Sequence, residues 1–251
     1  MARLFALLLF IFGLLFVSLV YAKPPADTSH KAVIVELFTS EGCSSCPPAD
    51  NLLGQLRQDA ANGGVEVIPL GFHVDYWNQL GWQDRFSTHA YSERQEQYSS
   101  KLRTQGPYTP QMVVNGSDEF VGSDSSRAHS AITRAAAAAS LASIELKGAG
   151  VDKLSIQIKA PTNVSGDVLL AVTEDNLTNK IGAGENGGRV LRHQAVVREF
   201  RLLGKLSNGS FQGEVPLNIA KDWKRADLRA VVFVQESGNG KIFGAAAIKL
   251  P

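Results

Sequence analysis

The sequence predicts an α/β domain followed by a mostly antiparallel, β-sandwich-like domain, and three observations carry the prediction. Between about residues 30 and 140, apolar strand-like runs alternate with longer stretches whose apolar residues recur at helical spacing. From about Ala142 the pattern changes to short runs, most alternating with period two, set between clusters of Gly, Asn, Asp and Pro. The only two cysteines of the 251 residues, Cys43 and Cys46, stand on the turn where the first strand gives way to the first helix. The expected division is a signal segment over 1–22, the α/β domain over 23–141 and the β-rich domain over 142–251.

The first 22 residues carry one charge, Arg3, then an apolar run from Leu4 to Val20 and the small-residue site Val20-Tyr21-Ala22. This is the layout of a secretory signal peptide cleaved after Ala22, although the run is also long enough for an uncleaved anchor. The expected location is periplasmic or secreted, without membrane attachment after cleavage. No cysteine follows the cleavage site, which excludes a lipid-modified cysteine there. With Arg3 set aside, 24 of the 25 basic residues remain against 24 acidic ones. A chain so close to neutral carries no electrostatic footprint for nucleic acid or an anionic membrane. An oxidising compartment lets a disulfide persist, and with two cysteines an intrachain one must join Cys43 to Cys46. So small a loop does little as a staple, which favours redox chemistry over scaffolding.

In chain order, Ala32 to Phe38 reads as a buried strand, and Leu52, Leu53 and Leu56 mark a helix ending near Asn62-Gly63-Gly64. Cys-x-x-Cys at the start of that helix puts the first cysteine near unpaired N–H groups and the positive dipole end. Its pKa is expected below that of a free thiol, making Cys43 the nucleophile and Cys46 the shielded, resolving partner. Val65 to Phe72 is a second apolar strand, followed by an aromatic loop through Trp82. Residues 85 to 104 are helix-compatible, and Gly106-Pro107 ends them. Met112 to Val114 and Glu119 to Val121 form a hairpin about Asn115-Gly116, and Ser123 or Asp124 caps a helix running into the alanines 135 to 139. The β-rich runs are 143–147, 154–159, 168–173, 190–200, 210–216, 229–235 and 241–249. At about 110 residues this half is long enough for a core of its own. Gly184 to Arg189 follows no phosphate-loop pattern and reads as a turn.

The order strand, helix, strand, helix, strand, strand, helix resembles the thioredoxin fold. Cys-x-x-Cys opens its first helix and Thr109-Pro110 opens the strand after its second. More closely, Glu36 to Asp50, with His73-Val74-Asp75-Tyr76-Trp77 and Tyr108-Thr109-Pro110-Gln111, resembles a family of exported bacterial thioredoxin-like proteins of uncharacterised function. The resemblance runs from about residue 30 to the end. It implies a cis bond before Pro110, with Pro110 facing the cysteines, and a buried acid acting as proton shuttle, a role for which Glu36 stands in position; the alternative is that period two along the strand turns Glu36 to a polar surface. The departures are Ser44-Ser45 between the cysteines, Pro47-Pro48 directly after them, and no tryptophan before Cys43.

The function expected is thiol-disulfide exchange with protein or peptide thiols, served by an unidentified redox partner. Cys43, Cys46 and Pro110 carry the chemistry, and Thr109, Tyr108 and Trp82 rim a client groove. The pair itself carries the electrons, so no cofactor is required. One alternative is a copper(I) protein using Cys43, Cys46 and His73; another is an interaction module with a structural disulfide. Glu41 reads as solvated, Asp75 and Trp77 as loop anchors, and Arg189, His193 and Arg198 as a cluster of surface or interdomain hydrogen-bonding residues, with Arg189 and His193 facing the cysteines as the alternative.

Overall fold

The computed structural model of the chain describes residues 31–61 and 65–251. The expected signal segment and the helix terminus at Asn62-Gly63-Gly64 lie outside the described residues. The first half runs β1 (Lys31–Thr39), α1 (Pro47–Ala61), β2 (Val65–His73), α2 (His89–Leu102), β3 (Gln111–Val114), β4 (Asp118–Val121) and α3 (Ser125–Ala137). The second half is all strand apart from one short turn of helix: β5 (Ser143–Gly148), β6 (Lys153–Lys159), β7 (Asp167–Glu174), β8 (Leu177–Lys180), β9 (Val190–His193), β10 (Val196–Lys205), β11 (Ser210–Pro216), β12 (Leu228–Gln235) and β13 (Ile242–Lys249).

The result is a mixed α/β fold. One large mixed sheet has the order β13-β12-β7-β10-β2-β1-β3-β4, and two antiparallel sheets, β11-β6-β5 and β8-β9, accompany it. β1 and β2 are parallel, as their joining helix requires, and β3 runs antiparallel to β1. Asn115 and Gly116 both take positive φ (47° and 66°) between β3 and β4, the backbone that a two-residue hairpin turn demands. Asp124 caps α3 by accepting from the Arg127 amide.

A free-standing β-sandwich does not form. β10 pairs in parallel with β2, and β7, β12 and β13 extend the same sheet outward. The physical reason is that β2, apolar over nearly its whole length, would otherwise present an unpaired buried edge. α1 and α3 cover one face of the sheet through Val33, Val35, Leu37, Leu53, Ala131 and Ile132. α2 covers the other face, where Tyr91 and Tyr98 pack with Phe38, Phe72, Val231 and Phe233, drawn from both halves of the chain. The three-stranded sheet lies beyond α1 and α3, against Val168, Leu170, Val172, Val232 and Val234. With both faces covered, β7 and β12 lose the polar alternation of a solvent-facing strand. The helical and β-rich halves therefore share a sheet and a core. Among the described residues no helix is long and apolar enough to cross a membrane.

Candidate functional site

Cys43 and Cys46 form a disulfide, with their Cα atoms 5.4 Å apart, in the loop between β1 and α1. The Cys46 carbonyl accepts from the amides of Ala49 and Asp50, which makes Cys46 the cap of α1 and leaves Cys43 on the turn outside it. Ser45 Oγ lies 3.4 Å from Cys43 Sγ and donates to it, since a disulfide sulfur has no proton to give. The expectation that Cys46 alone is shielded is corrected, because both cysteines are completely buried.

The tip of the β8–β9 hairpin is hydrogen-bonded to the backbone of the loop that carries them. In that tip, residues 182–189, only Asn186 is buried. Asn186 Nδ2 donates to the carbonyls of Glu41 (2.8 Å) and Cys43 (2.9 Å), while Arg189 donates to its Oδ1 and so decides which way the amide faces. Beside it, Glu185 accepts from the Ser44 amide at 3.1 Å. Gly182 lies on the Trp82 ring, where an added Cβ would come within 3.1 Å, and Gly184 lies against Trp82 Cβ, where it would come within 3.3 Å.

Glu41 is not solvated. Its carboxylate is completely buried and accepts from Trp82 Nε1 (2.9 Å), Asn179 Nδ2 (3.0 Å) and His193 Nε2 (3.2 Å). Three donors from outside the cysteine loop compensate for its burial, which otherwise would be prohibitive. No local signal shows this, because β8, β9 and Trp82 are remote in sequence.

Glu41 opens onto a buried group of acids and imidazoles. His73 Nδ1 contacts Asp84 Oδ2 at 2.6 Å, and the His73 and His193 rings stand 5.0 Å apart. His193 Nδ1 is 3.9 Å from Asp50 Oδ2, too long for a hydrogen bond. Burial pushes the Asp50 carboxyl up, with His193 and His73 pulling it partly back. For Asp84 burial works upward too, but His73 and the amides of Glu41 and Phe86 outweigh it and hold the carboxyl below its usual 3.8. Burial works to lower His73, and Asp84, Asp50 and Glu41 lift it above its usual 6.5.

Those two directions fix a pH window. A lowered carboxyl contributes stability above its unfolded pKa and loses it as pH falls through the folded value. A raised imidazole contributes below its unfolded pKa and loses it as pH rises through the folded value. The pair therefore contributes fully between about pH 3.8 and 6.5. Urea unfolding from pH 3 to 9 is expected to show this contribution in the native chain and to lose it in Asp84→Asn. Parallel profiles would reject the assignment.

The other sequence-predicted residues are placed as follows. The Thr109–Pro110 bond is cis. Pro110 and Ala49 of α1 both lie beside Gly122, where an added Cβ would meet Pro110 Cβ at 3.1 Å and Ala49 Cβ at 3.2 Å. Thr109 Oγ1 accepts from Trp77 Nε1 at 2.8 Å, and Tyr108 OH donates to Glu119 at 2.7 Å. Trp82 is turned to Glu41 and to the hairpin tip. Asp75 anchors its loop by accepting from Ser92 Oγ at 2.6 Å.

Glu36 is buried on the sheet face opposite α1, because period two sends Val35 and Leu37 to α1 and Glu36 to α2. There it is bound by Arg94 and Tyr98, not brought to the cysteine loop. Its reading as a surface-facing residue is thereby corrected. Arg189 and His193 reach the cysteine loop through Asn186 and Glu41, whereas Arg198 pairs with Glu174. Asn186, Asn179, Asp50 and Asp84 are site residues that sequence reasoning missed. The one available signal was the glycine-rich stretch around Asn186. Among the described residues no three or more His, Cys, Asp and Glu side chains are grouped to hold a metal ion.

No curated protein matches the chain. The crystal structure of protein AGR_C_4864 from Agrobacterium tumefaciens is similar, with a TM-score of 0.70 and 29% identity over 86% of this chain and 93% of that one. A domain of the outer membrane lipoprotein Omp28 from Porphyromonas gingivalis matches 43% of this chain and 93% of that one, at 9% identity and a TM-score of only 0.23. The family description "Protein of unknown function (DUF1223)" matches residues 34–235, most of the chain, and the chain belongs to that family.

Proposed function

We propose that this chain is an exported thiol-disulfide oxidoreductase with a thioredoxin-like first half, acting on protein or peptide thiols. The observation that carries the reading is the Cys43–Cys46 disulfide in the turn before α1, with the cis Thr109–Pro110 bond at the entry to β3 and both Pro110 and Ala49 of α1 beside Gly122. A bridge over so short a loop restricts the unfolded chain little, so redox chemistry explains it better than stapling. Export rests on the residue 1–22 pattern alone.

In the reducing direction, the Cys43 thiolate attacks one sulfur of a client disulfide. The client's other sulfur leaves with the electron pair and takes a proton. Cys46, as thiolate, then attacks Cys43 Sγ, re-forming the internal disulfide and releasing the second client thiolate. The client gains two electrons and the Cys43–Cys46 dithiol loses two; the reverse sequence oxidises a client dithiol. Which way it runs depends on a few tens of millivolts against the compartment.

A glutathione redox titration read by thiol alkylation, with copper(I) competition alongside, tests the proposal. The pair is expected to open and close within the glutathione range and to hold copper no better than a control thioredoxin. A disulfide closed across the whole range would overturn it. With Cys43 as nucleophile and Cys46 as resolving partner, Cys46→Ala is expected to trap client mixed disulfides and Cys43→Ala to trap none, as seen on non-reducing gels. Equal trapping by both would contradict these roles.

A further inference from the structure

The loop that carries the buried disulfide is tied to a hairpin tip with few apolar contacts of its own. The body of the β8–β9 hairpin is anchored by buried Leu177 and Leu191 and by Asn179 and His193 on Glu41. Its tip is different: residues 182–189 are exposed except for Asn186, and four of them, Gly182, Gly184, Gly187 and Gly188, are glycines. Gly184 and Gly188 take φ of 73° and 83°, a backbone open to glycine at no steric cost. The tip is tied to the cysteine loop by the two Asn186 bonds, the Glu185 bond and the Trp82 contact. Each such bond has a small net worth, because water replaces it on opening. A segment with few apolar contacts belongs to the least stable part of a fold.

We infer that Glu185 and Asn186 are the specificity-determining residues of the cysteine site: they keep bulky thiols from Cys43 until the tip lifts. The attacking sulfur must touch a disulfide sulfur, and both of these are completely buried. Asn186 places a carboxamide N–H on the Cys43 carbonyl, the acceptor that a client's own main-chain amide would take once the tip has left. The inference deepens the oxidoreductase reading and rests on it only for the natural client being a peptide chain.

The test follows reduction of the oxidised full chain by dithiothreitol and, separately, by glutathione, with thiols counted by quenched alkylation. A reagent thiolate attacks Cys43 Sγ and the electron pair of the broken bond leaves on Cys46 sulfur, which takes a proton. A second reagent thiol then displaces Cys43, so the reagent loses two electrons and the protein gains two. Asn186→Ala is expected to speed reduction about tenfold, equivalent to about 1.4 kcal/mol of closing free energy. The gain should be larger for glutathione, the bulkier thiol. Glu185→Ala, whose exposed side chain makes folding safe, should give a smaller gain in the same order. Glu185→Gln, which keeps an acceptor for the Ser44 amide, should restore most of the slow rate.

Unchanged rates in Glu185→Ala and in natively folded Asn186→Ala would overturn the inference, as would an equal gain for both thiols; if Asn186→Ala does not fold, Glu185→Ala decides. Failure of the oxidoreductase reading looks different: the opened variants would react readily with both reagents yet leave the disulfides of insulin unreduced.

Discussion

Replacing Arg94 by methionine is expected to cost about 3–5 kcal/mol of stability, because it strands a carboxylate inside the protein. Arg94 donates to Glu36 through Nε (2.6 Å) and Nη2 (3.0 Å), and to Gln235 and Asn239 at 3.0 Å each. Its guanidinium lies among Phe200, Tyr98, Phe72 and Phe233, with ring centroids 4.7–5.8 Å away. Burial works to lower its pKa and Glu36 and Tyr98 outweigh that. One side chain thus ties α2 to β1, to β12 and to the turn before β13. Methionine fills the volume and makes none of these bonds. Replacing both partners, Glu36→Leu with Arg94→Met, is expected to recover most of the loss, since the cost lies in the unpaired charge. Urea unfolding of the two single variants and the double variant measures this. A single-variant loss under about 1 kcal/mol would show that water reaches the group.

Ending the chain at Ser140 is expected to abolish folding. The shortened chain keeps the cysteine loop, all three helices and β1 to β4, so on local grounds it should stand alone. It loses Leu169, Ala171, Val197, Val231 and Phe233 from under α2, together with the strand that pairs with β2. At roughly 1.5–3 kcal/mol per large buried apolar side chain, that is on the order of 10 kcal/mol. Total stabilities of about 5–15 kcal/mol cannot absorb such a loss. Circular dichroism and urea titration of the short chain check this: a cooperative transition would show that the α/β part has an independent core. The same cut removes Asn186 and His193 and leaves Glu41 without two of its three donors. The second half is thus part of both the core and the site.

Much was legible locally. The apolar runs of β1 and β2, the Asn115-Gly116 turn, the Asp124 cap and the Cys-x-x-Cys before α1 each depend on residues within a few positions of one another. Steric limits on φ and the two periods of helix and strand act over that range, and the elements stand where they were expected. α2 begins later than the expected residue 85, at His89, because Asp84 accepts from the Phe86 amide and holds the chain in a turn first.

Partners distant in the chain were not legible. Glu36 meets an arginine 58 positions away, and the Cys43 carbonyl meets an asparagine 143 positions away. Nothing local separates a carboxylate that will face water from one that will be clasped in a core, so Glu41 and Glu36 were both open. Nor does alternation show whether β10 joins a sandwich of its own or the edge of β2, since either pairing satisfies the same backbone groups. The residues around Cys43 and Cys46 specified where a disulfide would form. Packing of the β8–β9 hairpin onto Glu41 decided what its loop would be held by, because only the folded chain brings a buried acid and its three donors within hydrogen-bonding distance.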